Sequence, residues 1–80
     1  MGYARKRPKR LAEKLLQIRK HFGLSQAQLV RKLGLDISYV NLSKFELDKN
    51  EPDLFVLMAY ARFAGVSLLQ LADDELDLML

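Results

Sequence analysis

At two places in this chain a glycine stands two residues ahead of a serine that has a glutamine three positions further on: Gly23-Leu24-Ser25 with Gln28, and Gly65-Val66-Ser67 with Gln70. Glycine enters the left-handed conformation that closes a helix without a Cβ clash. A serine with glutamine three residues later forms a capping box, in which each side chain meets the other residue's backbone N–H at a helix start. At both places one helix must therefore end and another begin within two residues. Gly34 and Pro52 supply further stops. A chain cut this often has room only for short helices, and each must bury its apolar face against another.

The segments between these stops carry helical periods. Pro8 fits a first helical position, and Leu11, Leu15, Ile18 and Phe22 recur at i, i+4, i+7 and i+11, a single buried stripe that ends at Gly23. Leu29 and Leu33 give the second helix its apolar face before Gly34. A stretch from Gly34 to Ser38 leads into a third helix, capped by Ser38 with Asp36 as the rival, whose inner face is Leu42 and Phe45. Asp48-Lys49-Asn50-Glu51-Pro52 reads as a polar turn. Asp53 caps a fourth helix, Leu54 to Ala64, and Ser67 opens a short fifth. There is no repeat and no convincing strand. The expected fold is all-α, a compact five-helix bundle with a helix-turn-helix formed by helices two and three. The expected division is a basic arm over 1–8, the helix-turn-helix domain over 9–72, and an acidic and apolar tail over 73–80.

Several function classes are disfavoured. There is no cysteine and only one histidine, His21, so no disulfide, thiolate or imidazole-rich metal site is expected, and no cofactor. The longest apolar run, Leu54 to Ala61, is far too short for a membrane span. The first residues are charged and lack a signal-peptide core, and Lys6 stands where myristoylation after Gly2 wants Ser or Thr. A cytoplasmic, nucleoid-associated protein is the expectation. No catalytic constellation or glycine-rich phosphate loop is present, so an enzyme is not expected. The formal net charge of +3 conceals an asymmetry: residues 1–20 carry +7 and residues 21–80 carry −4. A basic run such as Arg5-Lys6-Arg7-Pro8-Lys9-Arg10 suits a polyanion, because each neutralised phosphate releases counterions. It equally suits a solubilising tail or a nuclear address.

Helices two and three have the dimensions of a helix-turn-helix. With Leu42 and Phe45 inward, Tyr39, Val40, Ser43 and Lys44 fall on the outward side. The residues themselves go further. Ile18-Arg19 and Gly23-Leu24-Ser25-Gln26, Leu42-Ser43-Lys44-Phe45-Glu46, Glu51-Pro52-Asp53-Leu54, and Ala61 with Gly65-Val66-Ser67 together resemble the signature of the lambda-repressor-like (Cro-type, XRE) helix-turn-helix family. The resemblance runs from about Leu11 to Leu71. It implies a sequence-specific double-stranded DNA-binding regulator of transcription, most simply a repressor, reading the major groove with helix three. By the same resemblance, Gln26 reaches a backbone phosphate, and Tyr39, Val40, Ser43 and Lys44 occupy base-reading positions. Arg19 and Glu46 match a structural ion pair between helices one and three. Ser38, at the start of helix three, and Arg5, Lys6, Arg7, Lys9 and Arg10 of the arm complete the expected DNA-binding set. The chain departs from the family in three ways: two extra residues within Gly34 to Ser38, less polar readers at Tyr39 and Val40, and Asp48 where glycine is frequent. Val40 could contact a thymine methyl, but neither Tyr39 nor Val40 offers the bidentate reading of Arg or Gln.

The fourth helix is apolar nearly all round, with Arg62 its one charge. If Leu54, Leu57, Tyr60 and Ala61 serve the core, then Phe55, Val56, Met58 and Phe63 are surplus. They should meet either a second copy, making a homodimer, or the tail Leu76-Asp77-Leu78-Met79-Leu80 folding back over them. Asp73-Asp74-Glu75 reads as a solvated end. The rival function is a protein-interaction module, antitoxin-like or partner-docking, that uses helix four. An RNA-binding role is weaker, since no aromatic stacking platform is evident.

Overall fold

The computed structural model of the chain describes residues 8–80. Among these described residues five helices follow one another: α1 Leu11–His21, α2 Gln26–Leu33, α3 Tyr39–Glu46, α4 Leu54–Ala64 and α5 Leu68–Ala72. No strand occurs among the described residues. Helix α1 packs on α3 and α5, α2 packs on α3 and α4, and α4 packs on α5. One core results, with Leu11, Leu15 and Ile18 of α1 meeting Leu29 and Leu33 of α2, Leu42 and Phe45 of α3, Val56, Tyr60 and Ala61 of α4, and Leu71 of α5. Each fully buried leucine or isoleucine contributes about 1.5–3 kcal/mol through burial.

The helix boundaries follow the stop and start chemistry. Both capping boxes are formed: Ser25 with Gln28 opens α2, and Ser67 with Gln70 opens α5. Ser38, not Asp36, caps α3 through the Asn41 N–H, and the Asp53 carboxylate caps α4 through the Val56 N–H. After α1 the chain closes a Schellman turn: the N–H of Gly23, at φ +66°, donates to the Lys20 carbonyl and that of Leu24 to the Arg19 carbonyl. The same pair of bonds closes α3, from Asp48 to Phe45 and from Lys49 to Lys44. There the left-handed residue is Asp48, φ +59°, the only non-glycine with positive φ among the described residues.

Three expectations need correction. Helix α1 opens at Leu11, with Arg10 as its N-cap, so Pro8 lies before the helix and not at its first position. Phe22 is not part of the buried stripe. It sits at the C-cap, where the backbone has already left the helix, and is 41% exposed. Its ring turns onto Phe63, 4.8 Å between centroids, with His21 edge-on at 4.9 Å. In α4 the buried face is Val56, Tyr60 and Ala61, while Leu54 is 58% exposed and Leu57 half-buried. An uninterrupted apolar run has no polar positions to fix its phase, and only packing against α2 and α5 decides which face turns inward.

Candidate nucleic-acid interface

The groundwork of the interface is a buried network beneath α3. Arg19 Nε of α1 donates to Glu46 Oε2 at 2.8 Å, and Gln26 Nε2, at the start of α2, donates to the other carboxylate oxygen at 3.1 Å. Arg19 also donates to the Leu24 carbonyl at 3.0 Å. The Glu46 side chain is only 3% exposed, so its charge is compensated from two helices at once. The result ties α1, α2 and α3 into one frame and fixes the rotation of α3 about its axis. Under this network lies Tyr60 of α4, wholly buried, whose hydroxyl finds no hydrogen-bond partner among the described residues. Its ionisation is pushed well above the usual phenol range, first by burial and then by the Glu46 charge.

With Leu42, Phe45 and Glu46 turned inward, the opposite side of α3 faces solvent. Tyr39 and Val40 are 57% and 46% exposed, Asn41 and Lys44 are exposed, and Ser43 is half-buried. Ser38 is exposed too, but its hydroxyl is occupied: it accepts from the Asn41 N–H and donates to the Asn41 carboxamide oxygen at 2.8 Å. The first turn of α3 thus presents an aromatic ring and a branched apolar side chain, with the Lys44 ammonium one turn further on. The five residues between α2 and α3 are partly internal, because Leu35 and Ile37 pack against the core. The lengthened connection is therefore anchored by two apolar side chains.

Of the expected arm residues, Arg5, Lys6 and Arg7 lie outside the described residues. Lys9 is exposed, and Arg10 is not free to reach a ligand: its guanidinium donates to Asp77 at 2.6 Å, to Glu13 at 3.1 Å and to the Asp74 carbonyl at 2.8 Å. Pro8, Leu11 and Ala12 share a small cleft with Phe45, Asp48, Asn50 and Pro52, which places the start of α1 beside the loop that follows α3. Lys49 and Asn50 in that loop are exposed next to α3, a position that sequence patterning does not single out.

The surface expected for self-association is only partly there. Phe55 is 74% exposed, and with Met58 and Phe63 it borders an apolar groove shared with Leu35 and rimmed by Lys32 and Arg62. Val56 is buried at 6% exposure and cannot belong to that surface, because its side chain packs into the core. The tail does not cover the groove. Leu78 and Leu80 lie instead against α1, where they border a second groove with Leu16, Lys20 and His21.

Two features went unread in the sequence. Lys14, fully buried, donates its ammonium to the carbonyls of Gln70 at 2.7 Å, Asp73 at 2.8 Å and Leu76 at 2.7 Å. The acidic tail, expected to be solvated, is held: the Asp74 carboxylate accepts from the backbone N–H groups of Lys9 and Arg10. Those bonds draw Asp74 below the usual carboxylate range, and Arg10 does the same to Asp77. One signal for Lys14 was available, since it falls three residues after Leu11 and four before Ile18, on the buried stripe itself. No group of residues suited to a metal ion, and no helix long and apolar enough to cross a membrane, occurs among the described residues.

Comparison with known proteins agrees with this architecture. A family model described as helix-turn-helix matches residues 15–71. No curated protein matches. Among solved structures, the P22 c2 repressor protein, crystallised in complex with a synthetic operator, is 26% identical, with a TM-score of 0.71 over 80% of this chain and 94% of that one. A hypothetical transcription factor, NHTF from Neisseria, is also 26% identical, with a TM-score of 0.67 over 92% of each chain. The chain belongs to the helix-turn-helix family, in its lambda-repressor-like, XRE-type branch, a class of DNA-binding regulators of transcription.

Proposed function

We propose that this chain is a sequence-specific double-stranded DNA-binding repressor that reads the major groove with the first turns of α3. The observation that carries the reading is the division of α3: Tyr39, Val40 and Lys44 stand outward on a helix whose other side is locked by Glu46 to Arg19 and Gln26. A recognition helix must hold a fixed rotation while its outer side chains meet base edges, and this network provides that. Val40 suits a thymine methyl, while Lys44 and the Tyr39 hydroxyl can hydrogen-bond to base edges or phosphates. Gln26 keeps one amide hydrogen beyond its bond to Glu46, and with the free N–H groups at the start of α2 it suits a phosphate oxygen. Repression, rather than activation, is supported by the likeness to the P22 c2 repressor.

Titrating random duplex at increasing salt tests the electrostatic half of the proposal. Log affinity should fall linearly with log salt, and neutralising Arg5, Lys6, Arg7 and Lys9 together should flatten the slope by about one unit for each phosphate that the arm no longer neutralises. A slope that ignores salt would exclude phosphate binding.

The functional species is proposed to be a homodimer, because two recognition helices reading half-sites one turn apart supply base contacts that one small domain lacks. Phe55, Met58 and Phe63 form the candidate contact. Light scattering should show a wild-type dimer at micromolar concentration and a monomer for Phe55→Glu; a wild type that remains monomeric and binds its site one-to-one would refute it. The exposure of Phe55 also favours a second reading, in which the α4 groove docks a different protein.

A further inference from the structure

Helix α1 has no side-chain cap of its own at Arg10. Its entry is held from the far end of the sequence. The Asp74 carboxylate takes the N–H groups of Lys9 and Arg10, each at 2.9 Å, and the Arg10 guanidinium bridges Asp77 and the Asp74 carbonyl. Lys14, one turn further along, pins the carbonyls of Gln70, Asp73 and Leu76 to the same end of α1. The chain direction at residues 9 and 10 is therefore set by hydrogen bonds to the segment 74–77. Pro8 and Leu11, which flank this clasp in sequence, line a cleft with the loop that follows α3, and Arg5, Lys6 and Arg7 precede Pro8 in sequence.

We infer that Asp74 and Asp77 are positioning residues for DNA binding, which act by holding the backbone at residues 9 and 10, the root of the basic run, on the domain. The inference rests on the DNA-binding reading above. A cationic run whose root is fixed loses less conformational freedom on meeting phosphates than one hinged freely. Arg10 accordingly serves as the anchor of the run and not as a phosphate contact.

The sign of the effect separates this account from plain electrostatics. Removing a carboxylate beside a basic run makes that surface more positive, which by itself tightens binding to a polyanion. Positioning requires the opposite. The test uses the full chain and a duplex carrying its selected site, with Asp74→Ala and Asp77→Ala each measured in two backgrounds: native, and with Arg5, Lys6 and Arg7 all changed to Ala. Affinities are taken well below the melting transition of every variant. In the native background each aspartate variant should bind roughly three- to tenfold more weakly. In the neutralised background the same substitutions should change affinity by less than about twofold, since coupled residues are non-additive. A merely structural role would weaken both backgrounds alike, and that result, or equal or tighter binding by the aspartate variants, overturns the inference. A wild-type chain that binds no duplex would instead remove the DNA-binding reading, and this inference with it.

Discussion

Lys14 and Arg19 lie on the same helix, little more than one turn apart, and each carries a positive charge into the domain, yet their surroundings differ in kind. Arg19 meets another charge, Glu46, on the side that faces α3. Lys14 donates its hydrogen bonds to neutral oxygens, three carbonyls at the end of α5 and just beyond it, while the Asp74 and Asp77 carboxylates feel its charge without being bonded to it. Helix C-termini leave carbonyls without intrahelical partners, and a cation there satisfies them while also opposing the helix dipole. The two sites illustrate two ways for a small domain to hold a charge inside: hydrogen-bonded to a counter-charge, which fixes a rotation, or hydrogen-bonded to backbone carbonyls, which fixes a chain end. Breaking them should have different consequences.

The largest loss of stability should come from Lys14→Met, which keeps the apolar stem but removes three charge-assisted hydrogen bonds, leaving the Asp73 carbonyl with the Leu76 N–H and the Leu76 carbonyl with a long bond from Arg10. A cost of about 3–5 kcal/mol is expected, since hydrogen bonds to a charged group contribute about 1.5–3 kcal/mol each and the losses are partly offset by the remaining donors. For a domain of this size that lowers Tm by roughly 15 °C or more. A shift of only a few degrees would mean that water replaces the ammonium freely.

The ion pair should be asymmetric. Arg19→Ala leaves the Glu46 carboxylate buried with Gln26 as its remaining donor, and should cost about 2–4 kcal/mol. Glu46→Ala leaves a guanidinium that is 19% exposed and still bound to the Leu24 carbonyl, so it should cost less, about 1–2 kcal/mol. Denaturant titration of both variants and of the double variant measures the coupling. Equal losses that simply add would show that the pair is not a unit.

The smallest effect should belong to Tyr60→Phe. The hydroxyl is buried without a partner, so removing it discards a desolvated polar group and should leave stability unchanged or raised by up to about 1 kcal/mol. A substantial loss would reveal a hydrogen bond, for instance through a trapped water, that supports the Glu46 network.

How legible all this was in the sequence varies with the kind of signal. Helix ends were readable because capping is local: Ser25 with Gln28, Ser67 with Gln70, Asp53, and the three glycines at positive φ are each set by neighbours within a few residues. The inward faces of α2 and α3 were readable because polar residues alternate with Leu29, Leu33, Leu42 and Phe45. The rotation of α4 was not, because nearly every position there is apolar and periodicity cannot choose between Leu54 and Val56. The Arg19 and Glu46 pair came through family resemblance; their separation of 27 residues carries no pattern of its own. The clasp was invisible for the same reason. An acidic run looks solvated until the fold brings it to α1, a helix that lacks a side-chain cap of its own.

The claim that α3 reads DNA is tested most directly by selecting preferred duplexes from a random pool and comparing wild type with Lys44→Ala, Val40→Ala and Gln26→Ala on the chosen site and on scrambled sequence. Wild type should select a defined site. Lys44→Ala and Val40→Ala should each relax preference at particular base pairs by about 1–3 kcal/mol while changing scrambled-duplex affinity less, and Gln26→Ala should weaken both duplexes about equally. If no site emerges from the pool, or if all three variants lose affinity uniformly, α3 does not carry the base contacts and the central claim is wrong.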